Sequence, residues 1–526
     1  MSSVSKNSSA RKILILPRSF FTQGLMKRCR NTWSFLLSGA SSVASAFVIL
    51  LYVCTIAQPA RAQQKRQTVV AGTATNGVAQ SDNAPALLRE AAALLQAGKL
   101  DEAEALIRKA LAAAPGNAAA HNLLGIVMDK RGRFQEAERE YREALRLNPR
   151  AVSTRANLGV LLARTSRSAE AIQIFEAVLR EAPDHPQAMF NLGLQYAARG
   201  DYAKAVGLFE QLNTRGPRTF EVLFNLGMAL YHLKRFEEAA AALESASSLA
   251  PDDWRALYYS GLNASARGQS EEAISFWQSA LRLRANFPEA NFMVGEELSR
   301  KRRYREAAEF YERALKQDSA KPVYYIRLGG AYLLLLLYDQ ALEVFSRASA
   351  RFPQLAEAHY FSGVAARGRG SYDLAETAFR KALELQPDNV DALAQLGFIL
   401  GERASYAEAE QTLRRAIALG GKHFYAHYDL GRLLVKTRRY DEAIIILQRG
   451  AALKADNPDV HYQLSLALFR VKRREEAEHE MALFRKLDEE RKLREKDGSG
   501  QHDYVQGLLP PMPSPTPTSS PTPKAP

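Results

Sequence analysis

Small, apolar and polar positions recur along this chain at a fixed interval of 34 residues. Glycines stand at Gly125, Gly159, Gly193, Gly227, Gly261, Gly295, Gly329, Gly363, Gly397 and Gly431 with no insertion or deletion between them. Alanines keep the same interval at Ala103, Ala137, Ala171, Ala205, Ala239, Ala273, Ala307, Ala341, Ala375, Ala409, Ala443 and Ala477. With the glycine numbered as position eight of each period, the alanine is position twenty. Position seven is a large apolar residue in Leu124, Leu158, Leu192, Leu226, Leu328, Leu396 and Leu430. Position twenty-four is bulky in Tyr141, Phe175, Phe209, Trp277, Tyr311, Phe345 and Phe379. Such a period holds two amphipathic helices, A and B, whose small residues allow close approach while the rings fill the gap.

Breakers divide the period where that reading needs them. Gly98, Gly132, Gly200, Gly268 and Gly370 mark a turn between A and B. Pro115, Pro149, Pro183, Pro217, Pro251, Pro353 and Pro387 fall at position thirty-two, where the missing N–H donor stops one helix and helps start the next. The proline is absent at Ala285 and Ser319, and Gly420-Gly421 replaces it once, so less regular stacking is expected there. The first period has Ala91 at position eight; the last has Ser465 there and Phe484 where alanine is usual.

These motifs resemble the tetratricopeptide repeat family over about residues 84–491, as about twelve repeats. The resemblance implies an all-α fold, an α-solenoid: a right-handed superhelix of antiparallel helix pairs with a concave groove lined by the A helices. The last helix is expected to run on to about residue 497 through Glu489, Glu490, Arg491 and Lys492, presenting a polar capping face.

Composition narrows the flanks. Residues 1–62 hold eight Lys or Arg and no acid, leaving 63 basic against 57 acidic residues elsewhere, so the net charge of +14 is a weak argument for nucleic acid, and none is expected as a partner. Lys27, Arg28 and Arg30 precede an uncharged stretch at 31–60 that closes on Ala60-Arg61-Ala62. That reads as a signal peptide, while the 23 apolar-rich residues 35–57 would equally serve as a single transmembrane anchor; either exports the remainder, to the periplasm or another extracytoplasmic site of a bacterium. Residues 63–83 read as a flexible spacer and 498–526 as a disordered Pro-rich tail, with a docking segment as its functional alternative. Both cysteines, Cys29 and Cys54, precede the repeats, so no Cys-based metal site is available in them.

Catalytic chemistry finds no foothold. His121, His359, His427 and His461 share position four, where a packing role is expected, and His423 with His427 has metal-pair spacing but no carboxylate motif. Phosphate loops, HExxH and nucleophile elbows are missing. Asp101-Glu102, Glu237-Glu238, Glu271-Glu272 and Glu475-Glu476 open B helices, where acids favour the dipole. The expectation is no enzyme, no cofactor and no metal.

Binding residues are sought on the A helices. Asn157, Asn191 and Asn225 repeat at position six and resemble a short piece of the asparagine ladder with which one relative, the repeat domain of the nucleocytoplasmic N-acetylglucosaminyl transferase, grips peptide backbone. Phe190, Phe224, Tyr258, Phe292, Tyr360, Tyr428 and Tyr462 form an aromatic stripe at position five. Together they imply a non-enzymatic scaffold that binds a protein or extended peptide in the concave groove. The alternative is an accessory or adaptor subunit of a bacterial envelope assembly or polysaccharide export machine, which an exposed apolar strip on the convex side would favour.

Overall fold

The computed structural model describes residues 84–216 and 218–496, and the side chains among them as far as Leu493. Among these residues there are only helices and their connections, and no strand. They fall into two compact units. The first holds α1 (Ala84–Gln96), α2 (Leu100–Ala113), α3 (Ala118–Lys130), α4 (Phe134–Leu147) and α5 (Val152–Arg164).

The second begins at α6 (Ser168–Glu181) and continues as helix pairs: α7 (Pro186–Ala198) with α8 (Tyr202–Arg215), α9 (Phe220–His232) with α10 (Phe236–Leu249), and α11 (Trp254–Ala266) with α12 (Ser270–Leu283). Next come α13 (Pro288–Arg300) with α14 (Tyr304–Gln317), α15 (Pro322–Leu334) with α16 (Tyr338–Arg351), and α17 (Ala356–Gly368) with α18 (Tyr372–Leu385). The last are α19 (Val390–Glu402) with α20 (Tyr406–Leu419), α21 (Phe424–Lys436) with α22 (Tyr440–Leu453), and α23 (Pro458–Arg470) with α24 (Arg474–Lys496). Within each unit this is an all-α solenoid of paired antiparallel helices, odd-numbered A and even-numbered B.

The small-and-large rule sets the spacing within a pair. A Cβ added to Gly261 would lie 2.4 Å from Trp277 Nε1, and one on Gly329 would lie 2.4 Å from the Phe345 ring. Trp277, Tyr311, Phe209, Phe345 and Phe379 are accordingly buried to the last few ångströms of their surface. Trp277 keeps its one polar atom satisfied by donating Nε1–H to the Tyr258 carbonyl at 3.0 Å. A helices start on local caps: Asn117 accepts from the amides of Ala119 and Ala120, Asn389 from Ala392, and Asn457 from Val460.

The turns from A to B take a left-handed residue. Gly98, Gly132, Gly200, Gly268 and Gly370 supply it as expected, yet the same conformation recurs without glycine at Ser166, Lys234, Arg302, Leu336, Ala404, Arg438 and Lys472.

Among the described residues no helix is long and apolar enough to cross a membrane. This corrects the expectation of a membrane-anchored or exported, periplasmic chain: nothing described supports it, and residues 35–57, on which it rested, lie outside the described residues, as do the spacer at 63–83 and the Pro-rich tail.

Candidate functional site

The asparagines at position six are engaged locally. In the first unit Asn157 donates its amide to Asn122 Oδ1 at 3.1 Å. In the second, Asn191 and Asn225 donate to carbonyls one turn back in their own helices, Gln187 O at 2.8 Å and Glu221 O at 2.7 Å. Each amide spends one N–H on its own helix and keeps the other N–H and its oxygen, though Asn225 is itself buried.

The aromatic stripe is used mainly for packing. Phe224, Tyr258 and Tyr360 are each only 6% exposed. Phe190, Phe292 and Tyr360 lie against the position-twenty-four rings Phe209, Tyr311 and Phe379, with centroids 5.7–5.9 Å apart. Phe224 and Phe292 also meet the next A helix, at Tyr259 (5.5 Å) and Tyr324 (5.0 Å). Tyr428, half-buried, stacks on Phe424, and Tyr462 alone of the seven is exposed.

The second unit contains polar groups that the sequence reading did not single out. Glu296 is buried on α13, its Oε1 accepting from Tyr311 Oη at 2.6 Å and standing 3.2 Å from Arg327 Nε on α15. Burial pushes the Glu296 carboxyl above the usual range, against the pull of Arg327. Its neighbour Glu297, also buried, pairs with Arg300 at 2.5 Å and accepts from Ser265.

Farther along lies an open cleft of about 250 Å³ between α19, α21 and α23, lined by Phe398, Glu402, Asp429, Arg432, Lys436 and Gln463 among others. The guanidinium groups of Arg367 and Arg432 stand over the Phe398 ring, 3.8 and 4.7 Å from its centroid. Arg367 also donates to Gln395 Oε1. Arg432 reaches Glu402 at 3.1 Å and Asp429 at 3.6 Å, and Lys436 donates to the Gly401 carbonyl at 3.3 Å. Burial pushes Asp429 up to about 6, opposed by Arg432 and Arg367. The signal was in the register: Gln395, Asp429 and Gln463 follow the asparagines at position six, and Phe398 and Arg432 share position nine.

The remaining candidates are structural. His121 and His461 each donate Nε2–H to a linker carbonyl, Pro115 O at 3.0 Å and Ala455 O at 2.9 Å, and place Nδ1 beside Glu140 and Glu480. His423 caps α21 by accepting from Ala426 N at 3.1 Å. Acids opening B helices are taken up in ion pairs, with a basic residue three positions earlier in Arg235–Glu238 at 2.6 Å and Lys99–Glu102 at 3.1 Å, and with Lys301 of the next repeat in the case of Glu271. Among the described residues no group of three or more His, Cys, Asp or Glu could hold a metal ion. On the B helices the exposed leucines of position thirty, Leu249, Leu283, Leu419 and Leu453, are interrupted by Gln317 and Arg351, so they make no continuous strip.

Paired helices, a 34-residue register and an A-helix face carrying the polar groups define the class: a helical repeat protein with an interaction surface. Tetratricopeptide repeat models match residues 190–253, 258–322 and 327–390, further ones match 378–411 and 402–465, and a model described as the tetratricopeptide repeat protein 21 C-terminal ARM domain matches 35–191. The chain belongs to the tetratricopeptide repeat family.

No curated protein matches it. Among solved structures, YrrB, described as a TPR protein with an unusual peptide-binding site, is 24% identical over 36% of this chain and 96% of its own, with a TM-score of 0.33. The C-terminal part of a TPR repeat-containing protein from Cytophaga hutchinsonii is 18% identical over 46% and 99%, at 0.42. Yeast Tom70 is 17% identical over 77% and 97%, at 0.31.

Proposed function

We propose that this chain is a non-catalytic scaffold that holds a protein or extended peptide segment against the A-helix face of its second unit, with the cleft around Phe398 taking one side chain. The observation that carries this is the cleft itself. Its walls come from positions six, nine and thirteen of successive A helices, so it belongs to the face that repeats along the solenoid. At about 250 Å³ it lies below the roughly 300–1,000 Å³ common for small-molecule sites. A side chain delivered by a peptide fits better than a cofactor.

The chemistry is mixed: an aromatic ring with two guanidinium groups over it, and Glu402 and Asp429 beside Arg432. Such a site accepts an aromatic or aliphatic side chain while the charges hydrogen-bond the flanking backbone, and the rigid helices order it beforehand. The position-six oxygens of Asn191 and Asn225 would extend the same contact toward α7 and α9.

The test is selection from a random peptide library on the immobilised full chain, followed by affinity measurements on Phe398→Ala and Arg432→Ala. An enriched consensus whose Kd weakens about 10- to 100-fold in either variant, with helical content unchanged, supports the reading. A library without enrichment, or peptides that bind both variants as tightly as the parent, overturns it.

A further inference from the structure

Positions five and twelve of the A helices behave differently at the end of the array. In inner repeats they are covered: Phe224, Tyr258 and Tyr360 at position five, and Tyr231 and Leu333 at position twelve, are all buried. In α23 the same positions hold Tyr462, 37% exposed, and Phe469, 62% exposed. Seven residues apart on a helix, they share a face, with half-buried Leu466 between them.

What covers the inner positions is the next A helix, as Tyr259 covers Phe224 and Tyr324 covers Phe292. Among the described residues α23 is followed only by α24, which turns back along it. His461 meets Glu480, Tyr462 meets Phe484 at 5.1 Å, and Arg491 meets Asp459 at 3.1 Å. Phe484 takes one side of Tyr462. Among the described residues nothing takes the other, or covers Phe469.

The chain that follows has a composition suited to that face. Residues 497–503 read Asp-Gly-Ser-Gly-Gln-His-Asp, polar and glycine-containing. Residues 504–512 then read Tyr-Val-Gln-Gly-Leu-Leu-Pro-Pro-Met, uncharged, with five large apolar side chains and two prolines. We propose that residues 504–512 dock on the Tyr462, Leu466 and Phe469 face of α23 and close the carboxy-terminal end of the array in place of a further A helix.

The reach is sufficient. Phe469 lies ten residues along α23 from Asp459, ~15 Å at 1.5 Å per residue, and Lys496 lies five residues past the Arg491 contact with Asp459, ~8 Å the other way. From Lys496 to Tyr504 an extended chain spans up to ~28 Å, and Leu508 can travel farther.

Two cysteine experiments on the full chain test this, both with Cys29→Ser and Cys54→Ser. In the first, alkylation of Leu466→Cys is timed with and without Leu508→Asp and Leu509→Asp. A tail docked ~90% of the time slows alkylation about tenfold, and the aspartates restore the fast rate; equal rates overturn the proposal. In the second, Leu466→Cys is combined with Leu508→Cys and oxidised. A disulfide within one chain is expected. Cross-linked dimers would give the face to a second copy and overturn the tail as its occupant, as would the lack of any cross-link.

Discussion

A single methyl group decides the spacing of each helix pair. Gly→Ala in a helix ordinarily stabilises by up to ~1 kcal/mol, because alanine has the better propensity. Gly207 on α8 has no atom within 4 Å of an added Cβ, so Gly207→Ala is expected to raise the urea midpoint. Gly329→Ala sets that gain against a contact at 2.4 Å with a fully buried phenylalanine ring, and overpacking of this kind costs ~1–3 kcal/mol. The sign reverses, and the same denaturation measurement reads both. Asp429 makes a second residue-scale case. With its carboxyl raised from 3.8 to about 6, the folded chain holds between those values a proton that the unfolded chain has released. Stability from this group is therefore present at low pH, falls as pH rises through the window, and levels off above about 6. Asp429→Asn is expected to stabilise by ~1–3 kcal/mol at pH 7.5 and by distinctly less at pH 4.5. An equal gain at both pH values would show that Asp429 is not the titrating group.

Between elements, the buried pair Glu296–Arg327 ties α13 to α15, with Tyr311 of α14 as a third partner. Taking away one member of a buried pair strands the other charge, so Arg327→Met is expected to cost ~3–5 kcal/mol in a urea titration. Combining it with Glu296→Gln should return most of that loss, since no uncompensated ion remains. The A-to-B turns behave differently. The left-handed conformation was legible where glycine stood, at Gly98 or Gly370, and invisible at Leu336 or Ala404, where the packing of two helices holds an L-residue in a conformation it disfavours. Ala404→Gly is accordingly expected to be neutral to stabilising by up to ~1 kcal/mol, whereas glycine inside a helix would destabilise by a similar amount. The same contrast governs the candidate site. Helix pairing was readable because positions eight, twenty and twenty-four are constrained identically in every repeat. The Phe398 cleft was not, because Arg367, Phe398 and Arg432 come from three repeats and meet only once the helices are stacked. The exposure of the aromatic stripe was hidden for the same reason: composition shows that a ring is present, while whether it faces solvent depends on the next A helix.

At the scale of the molecule, stacking makes stability local. Among the described residues of the second unit an A helix packs chiefly on its own B helix and on the neighbouring repeats, so a repeat is held mainly by its nearest neighbours. Such a unit need not unfold all at once. If Gly329→Ala removes ~2 kcal/mol, amide exchange should quicken about 30-fold in α15 and α16. The effect should weaken through α13, α14, α17 and α18, and vanish by α7 and α8 at one end and α22 at the other. Exchange mass spectrometry on the full chain resolves these helices separately. A uniform acceleration across the second unit would mean that its repeats open as one cooperative block, and the cleft between α19, α21 and α23 would then share the stability of α15. A graded response would leave that cleft ordered in the variant, so peptides selected on the parent chain should bind Gly329→Ala with unchanged affinity.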